Sequence, residues 1–214
     1  MDKYGMSDEE FLDWYQNQAT TRDKELHDRL YDFGDLFDDM LFEGGCIQEL
    51  IKCEIAVKKH EWIEQRIESP DELEYFSYNA YKTEIIDDTN NIAFFNCLDK
   101  VLCISAEHMN EDYILLHEMI HLHEDVLNCI PTFYRDSLLW ALYSSLKKKV
   151  HNLDQLISAH AMVAGGQIVY SMGGTHDILF FLKSIDLDIR MGYSLGTVFG
   201  YDSANFFKGI ELVK

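Results

Sequence analysis

Hydrophobic positions along the chain switch period twice, and the switches divide it. Ser7-Asp8-Glu9-Glu10 is a capping box ahead of Phe11, Leu12, Trp14 and Tyr15, so a helix starts there. A second helical stripe begins near Thr21 with Leu26, Leu30 and Phe33 on one face, and Gly34 is expected to end it. A long amphipathic helix is expected over 46–67, through Leu50, Ile51, Ile55, Val57 and Trp62. After Pro70 the texture becomes that of strands. Residues 75–86 and 92–105 are rich in Tyr, Phe, Ile and Val, and the turn-forming Asp87-Asp88-Thr89-Asn90-Asn91 between them predicts a hairpin or part of a meander.

Helical period returns at Tyr113 and persists through Leu127 without Gly or Pro, with Asn110 as the expected N-cap and Glu111 and Asp112 suiting the positive end of the dipole. Further helices are expected after Pro131 (Leu138, Leu139, Leu142, Leu146), over 152–164 and over 176–184, the last capped by Thr175. The remaining residues read as loops and short pieces. The pattern is that of an α+β protein in one domain spanning 1–214. It has a helical extension over 1–68, a core over 72–185 with a small, mostly antiparallel sheet, and C-terminal helices.

Charge narrows the partners. With 38 acidic against 18 basic residues in 214, the formal net charge is -20. Such a surface repels phosphate backbones and anionic headgroups, which disfavours nucleic acid and membrane partners. Lys147-Lys148-Lys149 is the exception, and three lysines closing a helix complement its negative end. Five cysteines (Cys46, Cys53, Cys97, Cys103, Cys129) form no C-x-x-C pair, so they read as reduced thiols. The N-terminal residues lack a basic stretch followed by an apolar one, and no run of 18 apolar residues occurs. The expected location is the cytoplasm.

One segment carries chemistry. His117-Glu118-Met119-Ile120-His121 reads H-E-x-x-H inside a predicted helix. Residues four apart lie above one another on a helix, so His117 and His121 present two imidazoles to one Zn²⁺. Glu118 then sits where it takes a proton from a metal-bound water. Tyr113, Leu116 and Ile120 supply an apolar stripe that turns the histidines inward. Against this stands a buried helix whose histidines simply hydrogen-bond to neighbours.

A catalytic zinc needs a third protein ligand. Downstream candidates are His123, Glu124, His151, Asp154, His160 and His176. His123 points to another side of the helix and is expected to be exposed or to support a ligand. Glu124 shares the ligand face and is placed to orient an imidazole. His160 shares a stripe with Leu153, Ile157 and Val163, while His176 follows two glycines at a helix start. Spacing alone leaves His160 and His176 open.

Strand Val-Leu-Cys-Ile-Ser (101–105), short polar link and His-Glu-Met-Ile-His helix together resemble the SprT-like family of small zinc metallopeptidases, within the minigluzincin-type zincins. The resemblance covers roughly residues 75–184 and implies a zincin-like fold. His176-Asp177-Ile178-Leu179-Phe180 resembles the family's later His-Gly-x-x-Phe element, with Asp177 in place of Gly. It therefore implies His176 as third ligand beside His117 and His121, with Glu118 as catalytic base. Departures are the long gap from His121 to His176, the absence of a four-cysteine ribbon and the acidic charge. The function implied is a zinc-dependent hydrolase acting on a peptide or protein substrate. Strand 101–105, if it lies at a sheet edge, would hold that substrate by main-chain hydrogen bonds. The competing class is a non-catalytic metal-binding or protein-interaction module that keeps a zincin scaffold.

Overall fold

The computed structural model describes residues 7–38, 81–87, 91–129, 132–163, 176–200, 207 and 210–213. These group into two compact units, 1–132 and 133–214, each described by itself. The helix expected over 46–67 lies outside the described residues, as do Cys46 and Cys53. Six α-helices and three strands are described: α1 (Asp8–Asp13), α2 (Thr21–Asp38), β1 (Lys82–Ile86), β2 (Ala93–Asn96), β3 (Val101–Ser105), α3 (Asp112–Cys129), α4 (Thr132–Leu146), α5 (Leu153–Val163) and α6 (Ile178–Met191). None is long and apolar enough to cross a membrane.

The first unit starts as its pattern predicts. Ser7 closes a reciprocal capping box, its backbone N–H donating to Glu10 Oε2 at 2.8 Å and its Oγ accepting from Glu10 N at 3.3 Å. α1 then passes into a π-helical turn, Trp14–Gln18, before α2. α2 opens on a second box in which Asp23 Oδ2 accepts from Thr20 N at 2.8 Å. The other carboxylate oxygen accepts from Ile85 N at 2.9 Å, so one side chain both caps α2 and holds β1 against it. Contrary to expectation, Gly34 does not end α2, which runs on to Asp38. A helical glycine costs roughly 1 kcal/mol, and Phe37, fully buried one turn beyond, more than offsets that on burial.

The sheet is small and mixed, where a mostly antiparallel one was expected. Its order is β1-β3-β2, β1 running parallel to β3 and β2 antiparallel. The tight hairpin is thus β2–β3, not a pairing of β1 with β2. Its turn is built by Asn96, whose Oδ1 accepts from Leu98 N at 3.0 Å and Asp99 N at 3.3 Å, and by Lys100 in the left-handed region at φ 57°. β3 lies in the centre with all five residues buried, as a strand flanked on both sides must be. It is therefore unavailable to an added strand, and the edge position on which its substrate role depended is not the one it takes. α3 packs on β2, β3 and α2, and Ile114 through Ile120 are buried without interruption. It begins at Asp112, so Asn110 precedes the helix by two residues and is exposed. Arg29 from α2 binds both the Met109 carbonyl and the Asp112 carboxylate, tying α2 to that helix start.

In the second unit Leu138, Leu142 and Leu146 of α4 and Leu153 and Leu156 of α5 are buried. α6 packs on α5 and is buried from Ile178 to Asp188. Its N-cap is Asp177, not Thr175: Asp177 Oδ1 accepts from Leu179 N at 2.7 Å and Phe180 N at 3.1 Å. Gly192 closes it in the left-handed region at φ 71°, beyond the 184 expected. Fully buried Asp188 accepts from Gly196 N at 2.6 Å and Val198 N at 3.0 Å, folding the loop after α6 back on the helix.

Candidate metal centre

α3 delivers the paired imidazoles. His117 and His121, one helical turn apart, have ring centroids 5.3 Å apart and meet edge to face. His117 is 5% exposed, and His121 lies at a more open position. His121 Nδ1 and Glu124 Oε2 are 3.4 Å apart. With Nδ1 turned to a carboxylate, the imidazole holds its proton there and keeps Nε2 as a lone-pair donor. That is the tautomer a metal ligand needs.

Between the two histidines Glu118 is buried, 4% exposed. Burial raises its carboxyl to about 7, and a hydrogen bond from the Phe95 backbone draws it back only in part. The sheet explains that bond. Ser105 N donates to Ile92 O at 2.8 Å, so in the alternating antiparallel ladder Ile92, Phe94 and Asn96 face β3 while Phe95 turns its N–H to the outer edge. The outer edge of β2, which pairs with no other strand among the described residues, therefore abuts Glu118. Cys103 on β3 is buried, and burial, then Glu84 and Glu118, push its thiol up to about 11.

His123 was expected to be exposed or to support a ligand. It is buried, its ring 5.4 Å from that of Phe37, because α2 covers that side of α3. His151 is exposed and contributes its backbone N–H to Glu211 O at 2.9 Å. Asp154 is bound to Tyr143 Oη at 2.8 Å and to Lys147. Neither belongs to a potential metal-ligand group among the described residues.

The second unit treats its two histidines differently. His160 is buried, stacked on Phe181 with centroids 4.3 Å apart, and its Nε2 is 3.0 Å from the His176 carbonyl oxygen. A carbonyl only accepts, so Nε2 carries the proton and is no metal donor. Burial holds this imidazole below the usual histidine range, against the pull of the His176 carbonyl and Asp177. His176 stands just before the α6 cap with φ 64°. For an L-residue that backbone costs about 1 kcal/mol, and histidine is among the types that adopt it. Its ring lies on Phe180 (4.3 Å) and near Phe199 (5.5 Å). Arg135 binds the Asp177 carboxylate next door. Arg135 was not singled out from sequence, and Asp177 only as a departure from the family element, although an Asp two residues before Leu179 is an N-cap signal.

No protein-family model matches the chain, and neither a curated protein nor a solved structure does. The reading of the site rests on its chemistry.

Proposed function

We propose that this protein is a zinc-dependent hydrolase, a metallopeptidase with a zincin-like core related to the SprT-like group. The observation that carries the reading is the arrangement on α3: two histidines one turn apart, one oriented by Glu124, with the buried carboxyl of Glu118 between them. His117 and His121 would hold the ion with His176 as third ligand, the role the family resemblance implies for it. The donor set fits. Three imidazoles are the donor set of a catalytic zinc, which would keep a fourth position for water, rather than of a closed structural one. When bound, the ion supplies a Lewis acid that lowers the pKa of a coordinated water.

The residues do the rest. Glu118, a buried carboxyl beside the ligand pair, accepts a proton from the attacking water and returns it to the departing amide nitrogen. An extended peptide pairs with the outer edge of β2, which leads to Glu118 through Phe95. The substrate is a peptide or protein. Net charge of -20 argues against nucleic acid. The free thiols Cys97 and Cys103 fit a reducing compartment, and we place the protein in the cytoplasm.

The test is a zinc titration of the metal-stripped chain, followed by cleavage of a denatured protein substrate with and without chelator. One equivalent of zinc and chelator-sensitive cleavage are expected. Zinc binding with no cleavage leaves a metal module that has lost its chemistry, and absence of zinc binding ends the reading.

A further inference from the structure

His176 occupies an awkward place for a ligand, at a non-helical, left-handed position ahead of a helix. Two aromatic rings limit where its imidazole lies, but rings do not fix a peptide plane. Four polar contacts do. The His160 Nε2–H donates to the His176 carbonyl at 3.0 Å, from a ring wedged between Phe181 and Phe199. The next residue, Asp177, gives one carboxylate oxygen to the Leu179 and Phe180 N–H groups and the other to Arg135. The peptide between His176 and Asp177 is thus held from both ends by buried groups on α4, α5 and α6.

We propose that His160 is a positioning residue for the metal centre, setting the direction of the His176 imidazole through its main chain while binding no metal itself. The inference rests on the metal-centre reading above. It gives a role to the one inward-facing histidine of α5, and accounts for Asp where the resembling element has Gly. A carboxylate there caps α6 and anchors the bend, which glycine does not. Groups that orient a ligand without touching the ion typically change metal affinity 10–100-fold.

Two substitutions separate hydrogen bonding from packing. His160→Phe keeps the stack on Phe181 but removes the donor. His160→Gln removes the stack but retains an amide N–H of similar reach. Zinc affinity, measured by competition with a chromophoric chelator, is expected to fall about tenfold or more in His160→Phe and to recover most of that loss in His160→Gln. Melting temperatures of the metal-free proteins report packing alone, and their order is expected to be the reverse. Equal zinc affinity in His160→Phe and wild type, or equal loss in both variants, overturns the positioning role. Failure of the wild type to bind zinc overturns the metal-centre reading and this inference with it, so the two failures are distinct.

Discussion

His121 Nδ1 and Glu124 Oε2 stand 3.4 Å apart on one face of α3. The distance is long for a hydrogen bond, yet the pairing decides which nitrogen of His121 is left to donate. Glu124→Ala removes the orienting carboxylate without touching a ligand. Zinc affinity is expected to drop about tenfold, read by chelator competition, with stoichiometry still one. Unchanged affinity would show that the carboxylate is an ordinary surface partner.

Glu118→Gln is expected to bind zinc as the wild type does and to lose at least about a hundredfold in turnover, the usual span for losing a general base. The amide keeps the shape and accepts the Phe95 N–H, but takes no proton. Measured peptide cleavage at wild-type rate in this variant would remove Glu118 from the mechanism. Loss of zinc would make it a ligand instead.

Ligand substitutions should sort by role. His117→Ala, His121→Ala and His176→Ala each remove one of three donors, so each is expected to lose tight, one-to-one zinc in metal analysis after dialysis. His151→Ala should retain it, since that side chain is exposed and only its backbone is engaged. Retention of tight zinc by His176→Ala with loss in His160→Ala would invert the assignment of the third ligand.

Legibility of the sequence followed how local each cause is. The α1 capping box and the span of α3 depend on neighbours a few residues away, and both stand where the pattern places them. The partner of β1 does not: parallel pairing of Lys82 with Val101 is a non-local choice, and a turn-rich 87–91 segment suggests the nearer hairpin instead. The break at Gly34 and the exposed reading of His123 fail for the same reason. Propensity and helical phase describe one helix alone, whereas Phe37 of α2 packing on His123 of α3 buries both positions. In the site, the pair His117 and His121 and the base between them were legible because one helix carries all three. The role of Asp177 was masked by reading Thr175 as the cap, and Arg135 gave no signal because its partner lies 42 residues away.

Asp188 provides a test of the second unit that is independent of metal. Its side chain is fully buried and accepts from Gly196 and Val198 N–H, but burial outweighs those bonds and raises its carboxyl from 3.8 to about 6. The folded state therefore holds the proton more tightly than the unfolded chain. Stability from this group is fully present below about pH 4 and is lost as pH rises through about 6. At 1.36 kcal/mol per unit the change is at most about 3 kcal/mol. Asn at this position is neutral throughout, so the stability of wild type relative to Asp188→Asn should fall between pH 4 and pH 7. Urea unfolding of the two proteins at both pH values measures that difference directly and cancels the titration of groups they share. A flat difference would mean that the two backbone donors hold Asp188 ionised across the range.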